Sequence, residues 1–174
     1  MGGADYQIRT DFRIILGVLK YFQDKELDIK EKWAIALKAI YKEFDKIPEK
    51  YHEEAILRAR EFIDAGVEEE DSKKPSLVNW EHDAGIIIPA INKVAGTEVR
   101  ALENVHWWTF IGWYMEIGEG SFNTVVSIRS KRSKGKKLEK WEKEFFNEHK
   151  SMVLLEQEGR SEEERQALRE LTGV

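Results

Sequence analysis

Apolar residues recur along this chain at three- and four-residue spacing, segment after segment, and nowhere with the two-residue alternation of a strand. Phe12, Ile15, Leu16, Leu19 and Phe22 make the first such stripe. Thr10 or Asp11 before it offers a side-chain oxygen to the unpaired N–H groups of a helix start. A second helix is expected from Asp28, because Asp28-Ile29-Lys30-Glu31 has capping-box spacing, with Trp33, Leu37, Ile40 and Phe44 inward. Pro48 stands where proline opens a helix at no cost in hydrogen bonds. The third helix carries Tyr51, Ala55, Ala59, Phe62 and Ile63, and Gly66 closes it in the left-handed conformation. Residues 1–66 therefore read as a three-helix lobe.

Residues 67–78 hold four acids, then Lys-Lys-Pro, and almost nothing to bury, as a flexible charged connector would. A second helical lobe is expected over 79–158. Asn79 caps its first helix, whose inward face is Trp80, Ala84, Ile87, Ile88, Ile91 and Ala95. Pro89 should kink or split that helix, and Gly96 ends it. Val105 to Ile117 is apolar nearly all round, so one side packs on the lobe and the other needs a further partner. Ser121 is expected to cap a short helix bearing Phe122, Val125, Val126 and Ile128. A basic loop, 129–137, then leads into one long amphipathic helix with Leu138, Trp141, Phe145, His149, Met152 and Val153 on one side. A last box, Ser161 to Glu164, starts a short charged helical tail over 159–174. The fold class is all-α, a compact multi-helix bundle in two lobes.

Composition narrows the function classes. With 174 residues, 41% hydrophobic, the chain has enough apolar surface for a core. A net charge of -5 builds in no overall attraction to nucleic acid or anionic membrane. The absence of cysteine excludes disulfides, thiolate zinc sites and cysteine nucleophiles. The first residues show neither a secretion leader nor the myristoylation pattern, and no apolar run is long enough to span a membrane.

The chemistry-bearing residues do not assemble into a motif. His52, His82, His106 and His149 lie far apart, and consecutive helical residues such as Glu81-His82-Asp83 point too widely to share an ion. Glu103 and His106 could meet on one helix face, but a helix-start carboxylate near a polar residue explains them more simply. Gly118-Glu119-Gly120-Ser121 lacks the Lys-Ser/Thr of a phosphate-binding loop and reads as a turn before a helix. No catalytic constellation emerges, so a non-enzymatic protein without metal or cofactor is expected. The run from Arg129 to Lys137 is the one feature suited to nucleic acid, but no aromatic residue interleaves it. A solvated loop, or a site for an acidic protein partner, accounts for it more simply.

Tryptophan is the positive signal: of six in the chain, three fall between 107 and 113. Large rings fill small helical cores, and they also dominate binding hot spots. A partner surface is expected at Trp107, Trp108, Phe110, Trp113 and Tyr114, with Arg129, Lys131 and Arg132 at its rim.

Three motifs carry a family likeness. Asn79-Trp80-Glu81-His82-Asp83-Ala84 precedes an isoleucine-rich helix, Glu103-x-x-His106-Trp107-Trp108-x-Phe110 follows, and then comes Phe122-x-x-Val125-Val126-x-Ile128-Arg129. In this order, with Ile8-x-Thr10-Asp11-Phe12 near the start, they resemble the small phage and prophage family called gene-product fifteen. The likeness spans about residues 8–155 and departs at Asn79, where the family pattern has aspartate; both residues cap helices well. It implies a role like that of tail-assembly chaperones of long-tailed phages, whose genes lie between those of the tail tube and the tape measure. The implied partner is the tape-measure protein or another tail component, with multimerisation along it, in the cytoplasm of the infected or lysogenic bacterial host. No catalytic residues come with the likeness. The alternative is a nucleic-acid-binding or regulatory phage protein acting through the basic loop 129–137.

Overall fold

The structure, a computed structural model, describes residues 1, 3–65 and 76–155. The closing role of Gly66, most of the connector 67–78 and the charged tail 159–174 lie outside the described residues. Within them the fold is all-α: eight α-helices joined by turns and three 3₁₀ segments, with two isolated backbone bridges. The chain divides into two compact units.

The first unit is built on α1 (Phe12–Gln23), α2 (Ile29–Ile40) and α3 (His52–Ile63), with α2 packed on both α1 and α3. The starts of α1 and α2 follow from local chemistry. Asp11 accepts from the Arg13 amide, and Asp28 accepts from the Lys30 and Glu31 amides while Glu31 accepts from the Asp28 amide. That reciprocal box pairs N–H groups that would otherwise depend on water. Pro48 leads into a 3₁₀ turn, Glu49–Tyr51, and α3 begins only at His52. The core holds Phe12, Ile15 and Val18 of α1, Ile35, Leu37 and Ile40 of α2, and Ala55, Ala59 and Phe62 of α3.

A feature that periodicity could not show closes the far end of α2. Arg9 donates from Nη1 to the carbonyls of Ala39 and Tyr41 at 3.0 and 2.9 Å, and its amide donates to the Ile40 carbonyl at 2.7 Å. A cation there neutralises the negative end of the helix dipole and pairs carbonyls that have no partner inside the helix.

The first unit also takes up Asn104–Thr109, so the second lobe is not the continuous stretch 79–158 that periodicity suggested. The reason is a backbone clasp. Phe12 N–H donates to the Val105 carbonyl at 2.9 Å and Trp107 N–H to the Thr10 carbonyl at 2.7 Å. Asp11, already capping α1, accepts from the Val105 amide at 3.0 Å.

The second unit holds α4 (Ala84–Ala95), α6 (Ser121–Ser133), α7 (Lys140–Glu148) and α8 (Lys150–Val153), with most of α5 (Trp107–Met115). Asn79 does cap, accepting from the Glu81 and His82 amides, but what it caps is a turn, and α4 starts at Ala84. Pro89 neither splits nor ends α4, which runs on to Gly96 at φ 68°. The carbonyl that Pro89 cannot serve belongs to Gly85, four residues earlier; both residues are exposed, so water can reach it. Gly96, in the left-handed region, is the expected stop.

Three boundaries in this unit differ from the periodic reading. Gly120, not Ser121, is the N-cap of α6. The basic run is helical through Ser133, because Arg, Lys and Ser do not break helices and cations suit a helix C-terminus; Gly135 at φ 63° turns the chain after it. The long amphipathic helix is two, α7 and α8, separated at His149 with φ −124° and ψ 41°.

Candidate partner-binding surface

The expected surface centres on α5, and the structure sorts its rings into different environments. Trp107 is 2% exposed and Phe110 is fully buried; both are interior residues. The Trp107 indole N–H donates to the Ile63 carbonyl at 2.8 Å, which pairs one of the free carbonyls at the end of α3. Trp108 pairs the neighbouring one, donating to the Phe62 carbonyl at 2.9 Å, and its ring stacks on Phe62 with 6.0 Å between centroids. It nevertheless remains 51% exposed. Tyr114 is half-buried between Trp80 and Phe122, with centroid distances of 4.9 and 5.6 Å. Burial pushes its hydroxyl above the ordinary tyrosine value, with the negative charge of Asp83 adding to the effect. Trp113 is half-buried, and Met115, not singled out in the sequence, is 62% exposed.

The basic residues expected at the rim have different fates. Arg129 is 7% exposed, so it cannot serve as a rim residue. Its five N–H donors are all used. Nη1 and Nη2 donate to Asp83 Oδ2 and Oδ1 at 2.6 and 2.8 Å. Nε, Nη1 and Nη2 also donate to the carbonyls of Val153, Leu77 and Met152, each at 2.8 Å. Asp83 further accepts from the Asn79 amide and lies 2.8 Å from His82 Nδ1, while His82 Nε2 lies 2.9 Å from the Ser151 carbonyl. Burial alone would raise the Asp83 carboxyl, but the hydrogen bonds from Arg129, His82 and Asn79, together with the Arg129 charge, hold it below the ordinary aspartate value.

Lys131 donates to Glu142 at 2.6 Å. Glu142 is out of solvent contact and also accepts from the Glu139 amide at 2.8 Å. The Lys131 hydrogen bond and the Glu139 amide hold the Glu142 carboxyl below the ordinary glutamate value. Arg132 is exposed but lies over the Phe146 ring, 4.2 Å from its centroid. Half of the basic run is thus engaged inside the second unit.

The two sets of family-like motifs meet in pairs. Thr10-Asp11-Phe12 clasps Val105-His106-Trp107 in the first unit, and Asn79 to Asp83 closes on Arg129 in the second. Both clasps are built from hydrogen bonds that position backbone. The remaining histidines are similarly engaged: His52 Nε2 lies 3.0 Å from the Ile47 carbonyl, His106 Nδ1 accepts from the Trp108 amide, and His149 packs against Phe145. Among the described residues no three His, Asp or Glu side chains converge as a metal site would require. No described helix is long and apolar enough to cross a membrane.

Two grooves mark the surface of the second unit. One, of about 490 Å³, runs between the Gly85–Val94 face of α4 and the turn from Glu116 to Ser121. The other, of about 450 Å³, lies along α6 and is lined by lysines, serines, Asn123 and two apolar residues.

The chain matches the family model described as Bacteriophage Gp15 protein over residues 1–155. No curated protein and no solved structure matches it.

Proposed function

The chain belongs to the family of bacteriophage Gp15 proteins and is a phage protein, and on that premise we propose that it acts without catalysis, as a tail-assembly chaperone-like protein that binds the tape-measure protein or another tail component. The observation that supports this is the apolar side chains that α5 leaves in solvent, Trp108 of the first unit half exposed and Met115 of the second more so. A helical, partly apolar client presents side chains at helical spacing, and it is held by a surface of this kind. Binding would take place in the bacterial host cytoplasm, before the client is enclosed in the tail tube. The interior rings Trp107 and Phe110 support the surface without forming it. The nucleic-acid reading is weaker, because Arg129, Lys131 and Arg132 are committed to Asp83, Glu142 and Phe146.

Co-expression tests the proposal. The full chain, tagged, is produced with the tape-measure protein of its own phage, and soluble co-purified client is measured. Capture is expected with the wild type and loss of capture with Met115→Glu or Trp108→Ala at unchanged helicity. If neither the tape-measure protein nor, tested the same way, any other tail protein of that phage co-purifies, or if both variants capture the client as well as the wild type, the proposal is overturned.

A further inference from the structure

The basic run is only half explained by the fold. Lys131 and Arg132 sit in the last turn of α6, where cations complement the helix dipole. Lys136 lies past the helix end, and the dipole does not account for it. Lys131, Lys134 and Lys136 line the groove of about 450 Å³ on α6, and no acidic residue lines it with them. Its apolar wall is Leu77 and Val126, both half-buried, and Ser127 and Ser130 add hydroxyls. Among the described residues Lys131 is tied to Glu142, whereas no ion pair engages Lys134 or Lys136. The groove therefore combines uncompensated positive charge with apolar surface.

We propose that this groove binds an acidic, amphipathic segment of a protein partner, its apolar side chains on Leu77 and Val126 and its carboxylates at Lys134 and Lys136. Charge and apolar surface in one groove select such a segment over either a purely apolar or a purely anionic ligand. Nucleic acid fits less well. No aromatic residue lines the groove for base stacking. With Arg129, Lys131 and Arg132 engaged internally, Lys134, Lys136 and Lys137 remain, and few phosphate contacts give weak, steeply salt-sensitive binding. The surface uses none of the α5 residues, so this inference and the capture of a tail component by α5 stand or fall separately.

The test uses the full chain and a fluorescein-labelled peptide with leucine and glutamate at helical spacing, read by fluorescence anisotropy. A matched peptide with glutamine for glutamate and a single-stranded oligonucleotide run beside it. The glutamate peptide is expected to bind saturably and to weaken as salt is raised. Lys134→Glu/Lys136→Glu should weaken it at least about tenfold, about 1.4 kcal/mol, and Lys134→Gln/Lys136→Gln less. Both lysines are exposed, so helicity and Tm should not change. Equal binding of the glutamine peptide, indifference to both double variants, or tighter binding of the oligonucleotide than of the peptide would overturn the proposal.

Discussion

Arg129 and Asp83 form a two-pronged ion pair at 2.6 and 2.8 Å, with side chains only 6% and 1% exposed. The three donors left on the guanidinium serve carbonyls from two other segments, at Leu77 and at Met152 and Val153. One side chain of α6 therefore fixes the chain before α4 and the end of α8 as well as Asp83. This is a joint of the fold, and it gives the Ile-Arg motif and the Asn-to-Asp motif a shared structural role.

Breaking one half of this pair should be costly. Asp83→Asn or Arg129→Met leaves a buried charge or several buried polar groups unmatched, at about 3–5 kcal/mol each. Arg129→Lys should fare little better, since an ammonium has three donors and no planar fork. The double replacement Asp83→Leu/Arg129→Met should cost less than the sum of the single changes. It should not be neutral, because three carbonyls would still lack donors. Urea unfolding of the wild type, Asp83→Leu, Arg129→Met and the double variant closes the cycle and measures the coupling directly.

The same joint sets a pH response. The folded Asp83 carboxyl lies below the ordinary aspartate value, so the unfolded chain binds more protons and stability rises with pH. Its contribution is complete above the unfolded value of about 3.9 and is lost as pH falls through the lower folded value. Glu142, held down chiefly by Lys131, acts in the same direction. Stability against urea should therefore be flat from neutral pH to about pH 5 on this account and decline below about pH 4. In Asp83→Asn the decline should be shallower; an identical acid slope would show that Asp83 does not titrate differently in the two states.

How much of this was legible depends on the range of each interaction. Asp11 and Asp28 cap helices through their own neighbours, so their short spacings announced α1 and α2. The box of Glu139 and Glu142 at the start of α7 obeys the same geometry but begins with glutamate, which is not a usual cap, and it passed unread. Asp83 and Arg129 are 46 residues apart, and nothing local distinguishes Arg129 from the exposed basic residues that follow it. The aromatic cluster showed that α5 carries much apolar surface. Which ring turns inward depended on the clasp between Thr10 and Trp107, a contact that helical periodicity does not encode.

Capping offers a calibration of the first unit. Asp28→Ala removes acceptors for the Lys30 and Glu31 amides and should cost about 1 kcal/mol, within the usual range of about 0.5–2. Glu31→Gln keeps an acceptor for the Asp28 amide and should cost clearly less. Thermal unfolding of both variants, compared at the same pH, separates the two halves of the box.

Trp107 and Trp108 give the sharpest division between fold and surface. They are adjacent, and both indoles donate to the last carbonyls of α3, at Ile63 and Phe62. Their burial differs, 2% against 51%, so truncation should separate them. Trp107→Ala should cost about 3–5 kcal/mol, as full removal of a buried ring does, and Trp107→Phe should still lose the hydrogen bond to Ile63. Trp108→Ala removes one hydrogen bond and roughly half a ring's burial, so a cost nearer to about 1–2 kcal/mol follows. The protein should then remain folded at ambient temperature with its outer aromatic surface gone, which makes it the informative variant for client capture. If Trp108→Ala instead destabilises the chain as much as Trp107→Ala, both rings are core, and exposed Met115 alone would remain of the α5 surface.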